Sequence, residues 1–124
     1  MAKSHTYYRN KADKLLQEYI RVRYQWCMVC SKPLYAGHHF FTKASSNALR
    51  YYIPNIIPIC RNCHCLVHKQ PHLINPKICF IKGQGWYDDL LAKKREKIKA
   101  NKEWYKSKVD ELTKLKQELT EEAR

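Results

Sequence analysis

The sequence predicts an α+β protein, with a compact middle of short strands and turns between a helical lead and a long helical extension. Three observations carry this expectation. Residues 1–25 and 86–124 contain neither Gly nor Pro and hold apolar residues at helical spacing. The stretch between them is punctuated by Pro33, Gly37, Pro54 and Pro58, which suits turns and short strands. That same stretch contains two Cys-x-x-Cys pairs, a pattern that staples small domains through a metal.

In chain order, Asn10 to Tyr24 reads as a helix, because Leu15, Leu16, Tyr19, Ile20 and Arg23 share one face. Residues 1–25 therefore form an N-terminal basic helix. Residues 26–85 form the middle domain, with strands and turns up to about Ile59 and a short helix over Asn62 to Lys69. Gln70 to Gly85, with Pro71, Pro76, Gly83 and Gly85, reads as loop. Residues 86–124 form a C-terminal helical extension, with a break expected near Asn101. There Tyr105, Val109, Leu112, Leu115 and Leu119 make an apolar stripe, suited to packing within the chain or to a homodimer seam.

Composition limits the function classes. The 124 residues hold 24 Lys and Arg against 11 Asp and Glu, a formal charge of +13. Such an excess points to a polyanionic partner, with nucleic acid first. The excess is unevenly spread. Between Trp26 and Gly85 stand Lys32, Lys43, Arg50, Arg61, Lys69, Lys77 and Lys82, with no Asp or Glu. A paired-carboxylate mechanism within that segment is excluded, as is an all-carboxylate magnesium cage. Its chemistry has to come from Cys, His, Asn and backbone oxygen. No apolar run approaches the roughly 20 residues a membrane helix needs, and the start Met1-Ala2-Lys3-Ser4-His5 has no signal-peptide core. A cytoplasmic location is expected, where cysteines serve metals before disulfides.

Cys27-x-x-Cys30 and Cys60-x-x-Cys63 are separated by 29 residues. Each two-residue gap lets both sulfurs turn toward one ion, and four thiolates complete a closed tetrahedral shell for structural Zn²⁺. Cys65 and Cys79 remain over; Cys65 is near enough to compete as a ligand but is expected to be a buried thiol. The long insertion carries His38 and His39, then Asn55, with His64 directly after the second pair and His68 a helical turn later. His64 and His68 at i, i+4 would face one side of a helix, as in two-His metal motifs.

These residues resemble the HNH nucleases, the zinc-stapled ββα-metal group, in which a β-hairpin and a following helix clasp one divalent cation. The resemblance implies that His39 is the general base activating water against a phosphodiester, and that Asn55 pins the hairpin loop and orients the His39 ring. It implies that His38, His64 and His68 hold the catalytic cation, Mg²⁺ or Mn²⁺, with Ni²⁺ or Zn²⁺ also accommodated by an imidazole set. Many members of the group place Asp directly before the base, where this chain has His38. By the same resemblance Lys43, Arg50, Arg61 and Lys69 would track DNA phosphates.

The flanks are similar to the NinG/Rap-type phage recombination nucleases. The similarity lies in Tyr19-Ile20-Arg21-Val22-Arg23, in Ala36-Gly37-His38, in Arg50-Tyr51 running to Asn55-Ile56 before the second Cys pair, and in Trp86 with the charged helix after it. Tyr35 and His64 depart from that pattern, where the family usually has Asp and Asn. The implied activity is DNA cleavage in phage recombination, on branched substrates such as Holliday junctions or strand-invasion loops, in the host cytoplasm. Two other readings stand beside it: a non-catalytic zinc-ribbon protein that only binds nucleic acid, and an interaction protein that recruits partners through its helical tail.

Overall fold

The computed structural model describes residues 2–122; Met1, Ala123 and Arg124, at the outer ends of the terminal ranges above, lie outside it. The chain is α+β and mostly helical. Its elements are α1 (His5–Arg23), β1 (Ala36–His39), α2 (Asn47–Arg50), a single 3₁₀ turn (Ile53–Asn55), β2 (Ile56–Ile59), α3 (Arg61–Lys69), α4 (Pro71–Lys82), α5 (Gln84–Lys94) and α6 (Lys102–Glu122). None of the described helices is long and apolar enough to cross a membrane.

The chain divides into two compact units, Met1–Arg23 with Lys99–Arg124, and Tyr24–Ile98. The division differs from the three consecutive ranges read in the sequence, because the two terminal stretches belong together and α5 belongs to the middle. In the terminal unit α1 buries Ala12, Leu16 and Ile20, and α6 buries Tyr105, Val109 and Leu112. The inner part of the apolar stripe is thus covered within the chain, while Leu115 and Leu119 are half-buried. Lys116 Nζ bonds Glu18 Oε2 at 2.8 Å between the two helices. The long C-terminal helix is interrupted over residues 95–101, and Asn101 caps the second piece by accepting from the Trp104 N–H at 2.9 Å.

In the middle unit β1 and β2 pair antiparallel, Ala36 opposite Ile59 and His39 opposite Ile56. The connection between them carries α2 and the 3₁₀ turn. Ile57 and Ile59 are fully buried and pack with Val67, Ile74, Ile78 and the sulfurs of Cys27, Cys60 and Cys63. Three of the four paired cysteines are thus part of the hydrophobic core, while Cys30 is exposed.

Gln70–Gly85, expected as loop, is α4 and the start of α5. The breakers sit where a helix tolerates them. Pro71 occupies the first turn, where a missing N–H costs nothing. Gly83, at φ 92°, separates the two helices in a conformation that favours glycine. Pro76 is the one interior breaker, and its lost hydrogen bond is offset by burying Ile74 and Ile78 on the core face. The first helix also begins five residues earlier than expected, where Ser4 Oγ accepts from the Tyr7 N–H at 3.1 Å.

Candidate metal centres and the imidazole cluster

The first Cys pair lies in a tight turn. Ser31 N–H donates to the Cys27 carbonyl at 3.0 Å, Cys27 N–H to Lys32 O at 2.7 Å, and Ser31 takes the left-handed φ of 64° that closes it. The second pair begins α3, with Cys60 as its cap and its sulfur accepting from the Cys63 N–H at 3.4 Å. Val29 N–H likewise points at Cys27 Sγ, 3.4 Å away. Backbone N–H groups aimed at sulfur favour thiolate. Burial opposes ionisation of Cys60, yet the Cys63 N–H and the neighbouring thiols bring it down to about 7, while burial pushes Cys63 well up.

All four sulfurs lie within 4.8 Å of one another. A tetrahedral Zn²⁺ with bonds of about 2.3 Å needs its sulfurs about 3.8 Å apart, so the cluster fits with small adjustments. These four cysteines could hold a metal such as zinc. Cys65 does not share the site and is exposed rather than buried. Two positions past Cys63 on a helix is about 200° around the axis, which turns its sulfur away from the cluster.

A second donor set stands where α3 meets β1. His64 and His68 bring their Nε2 atoms to 3.1 Å of each other, and with His38 from β1 each residue offers a nitrogen within 4.8 Å of the other two. His38 is 9 % exposed. Burial, then the fields of His64, His68 and His39, hold its imidazole down to about 4, against an ordinary 6.5. Burial and His68 lower His64 as well. Neutral imidazoles with lone pairs available at pH 7 are what a cation requires. The set contains three nitrogens and no carboxylate, which suits Mn²⁺, Ni²⁺ or Zn²⁺ at least as well as Mg²⁺.

His39 faces away from this trio, as its neighbour on a strand must. Its Nε2 donates to the Arg50 carbonyl at 2.8 Å. A carbonyl can only accept, so the contact fixes the proton on Nε2 and leaves the basic lone pair on Nδ1. Asn55 is fully buried. Its Oδ1 accepts from the Phe41 N–H at 2.9 Å, and its Nδ2 donates to the carbonyls of Phe41 (3.1 Å) and Leu49 (3.2 Å). The amide thus ties both ends of the β1–β2 connection together. The expected orientation of His39 by Asn55 is corrected in one respect: the partner on the ring is the Arg50 carbonyl, and Asn55 acts on the backbone that presents it.

Trp86 completes this support. Its indole N–H donates to the Pro54 carbonyl at 2.7 Å, and its ring meets Phe40 edge-on with centroids 5.0 Å apart. Of the nearby aromatics, Tyr51 is buried and Phe40, Phe41 and Tyr52 are half-buried.

Among the expected phosphate contacts, Lys43, Arg61 and Lys69 are exposed. The Arg50 guanidinium lies against Tyr51, with Nε 3.2 Å from the hydroxyl. Arg61 stacks on Tyr35 at 5.0 Å, and Tyr35 stands 5.8 Å from His64. This Tyr35–Arg61 pair at the rim of the imidazole cluster was not expected. Its only trace in the sequence is position: Tyr35 precedes β1 by one residue and Arg61 opens α3.

Searches of protein-family models, curated proteins and solved structures find nothing that matches this chain.

Proposed function

We propose that the chain is a zinc-stapled ββα-metal nuclease of the HNH type, a metal-dependent endonuclease hydrolysing DNA phosphodiesters. The observation that carries the reading is the juxtaposition of three imidazoles at the α3–β1 contact with a fourth, His39, whose Nε2 proton is held by the Arg50 carbonyl on the adjoining strand position. A protein that only bound nucleic acid would have no use for a buried neutral His beside two others.

In this reading the cysteines hold structural zinc, and His38, His64 and His68 hold the catalytic cation. When bound, that cation supplies positive charge to the phosphate under attack and to the departing oxygen. His39 takes the proton from the attacking water at Nδ1 as the new P–O bond forms and the bond to the leaving oxygen breaks. The Arg50 carbonyl, holding the opposite N–H, stabilises the imidazolium that results. Asn55 keeps that carbonyl in place through its neighbour Leu49. Lys43, Arg50, Arg61 and Lys69 contact phosphates along the strand and orient it without reading sequence. Branched recombination intermediates, as cut in phage recombination, are the substrate this reading favours.

The test is cleavage of a supercoiled plasmid and a four-way junction, with Mg²⁺ or Mn²⁺ added or omitted, by the native protein and by His39→Ala. Cleavage should need the cation and fall by about 10²–10⁴-fold in the variant, the usual contribution of a general base, with bound zinc unchanged. Equal cutting by His39→Ala would remove the mechanism. No cutting in any cation, with DNA still bound, would favour the zinc-ribbon binder.

A further inference from the structure

The middle unit has an open cavity of about 460 Å³ between the start of α4, its junction with α5, and Phe40, which the reading above does not use. A cavity of about 150 Å³ is enough for a benzene ring, so this one has room for a bicyclic base with part of its sugar. Two of its walls are aromatic: the rings of Phe40 and Tyr87 stand at 88° with centroids 6.2 Å apart. A flat ligand stacked on one ring would present its edge to the other.

The lining also carries an acceptor short of a donor. Asn75 Oδ1 is out of solvent and has no hydrogen-bond partner. One residue on, Pro76 has no N–H to give the His72 carbonyl a turn earlier in α4. An orphaned buried amide oxygen is costly in the free protein, so turning it toward a ligand N–H gains a bond without breaking one. The ligand chemistry defined by these walls is a planar aromatic ring bearing N–H donors.

Position selects the source of that ring. Phe40 directly follows His39, and α4 begins three residues after His68, so the chain segments that line the cavity continue directly from those that carry the imidazole cluster. Most of the cavity lining belongs to the segment that holds seven cationic side chains and no carboxylate, while at its α5 end Tyr87 precedes Asp88, to which Gln84 Nε2 donates at 2.9 Å.

We infer that this cavity receives an unpaired, amine-bearing nucleobase of the DNA strand whose phosphate lies at the imidazole cluster. Phe40 and Tyr87 supply stacking, and Asn75 accepts from the exocyclic amine. The inference rests on the nuclease reading for its substrate, and it gives the preference for branched DNA a physical origin, since only unpaired bases can enter.

The experiment uses the full chain with its zinc retained and no other divalent cation added, so that binding is read without cleavage. The probe is a short duplex with one bulged 2-aminopurine, compared with the fully paired duplex and with a bulged purine lacking the amine. The bulged amine-bearing probe should bind about tenfold more tightly than the paired duplex, the scale of one base stacked on an aromatic ring, and its fluorescence should quench. Asn75→Leu, which removes the acceptor at similar volume, and Cys79→Phe, which fills the cavity, should each abolish the preference and leave paired-duplex affinity unchanged. Circular dichroism and zinc content establish that both variants fold.

Unchanged preference in both variants, or equal binding of the amine-free base, would overturn the inference. So would competition by an apolar lysine-rich peptide as effective as that by bulged DNA, which would assign the cavity to a protein partner. Plasmid cleavage is scored separately. Loss of cleavage with the preference intact counts against the nuclease reading alone, and cleavage without the preference counts against the cavity alone.

Discussion

Replacing Asn55 with alanine removes one acceptor and two donors from a position with no solvent exposure. It strands the Phe41 N–H, the Phe41 carbonyl and the Leu49 carbonyl, each now satisfied by the amide at 2.9–3.2 Å. A stranded buried group costs about 1–3 kcal/mol. Water can reach half-buried Phe41 but not Leu49, which is fully buried, so the sum is about 2–6 kcal/mol. The unit over residues 24–98 has a total stability of roughly 4–11 kcal/mol at ordinary per-residue values. Asn55→Ala should therefore bring the unit close to unfolding. The assay is urea denaturation with zinc retained, followed by near-ultraviolet circular dichroism, which reports the packing of Trp86 on Phe40. Asn55→Asp sharpens the test. It keeps the acceptor for the Phe41 N–H but sets a carboxylate against two carbonyls, so it should be at least as unstable at pH 7 and recover partly as acid protonates it. In both variants cleavage should fall further than the folded fraction does, because the Arg50 carbonyl that holds His39 follows Leu49. A loss under about 1 kcal/mol for Asn55→Ala would refute the reasoning, since it would mean that the three backbone groups find other partners.

Three further outcomes follow from the same geometry. Cys63→Ser, or chelation of the native protein, should remove bound zinc and the cooperative unfolding of the middle unit together, because three of the four sulfurs lie inside the hydrophobic core; elemental analysis with circular dichroism checks this, and a fold that persists without metal would contradict it. His38, held at about 4 in the folded chain, binds its proton near 6.5 when unfolded. Unfolding therefore takes up a proton between those values, and stability falls as pH drops through that window and is flat above it. The loss from pH 7 to pH 5 should be about 2 kcal/mol in metal-free His site conditions, seen as a falling urea midpoint and much reduced in His38→Phe. Finally, if Lys43, Arg50, Arg61 and Lys69 each neutralise a phosphate, DNA affinity should drop about 100-fold between 50 and 200 mM salt; a flat response would remove those contacts.

The donor sets were legible because they rest on local rules. Two Cys-x-x-Cys pairs and an i, i+4 His pair carry their geometry within a single turn, so their residues could be named before any contact was known. The structure gathers Cys27, Cys30, Cys60 and Cys63 into one cluster and His38, His64 and His68 into another. Gln70–Gly85 was misread because Pro and Gly weigh heavily in local propensity, whereas burial of Ile74 and Ile78 is a gain only the assembled core supplies. Cys65 was misplaced for a related reason: nearness in sequence says little about side on a helix.

By itself, the sequence determined the α+β class, the two candidate donor sets, and a sixty-residue segment with no carboxylate. Only the tertiary structure decided what acts on those residues from far along the chain. It put the Arg50 carbonyl on His39, eleven residues away, and Trp86 on Pro54, thirty-two away. It joined the two terminal helices into one unit, and opened the cavity between Phe40 and α4. Backbone carbonyls and voids have no letter in a sequence; they take on a role only when chain closure brings them to a particular side chain.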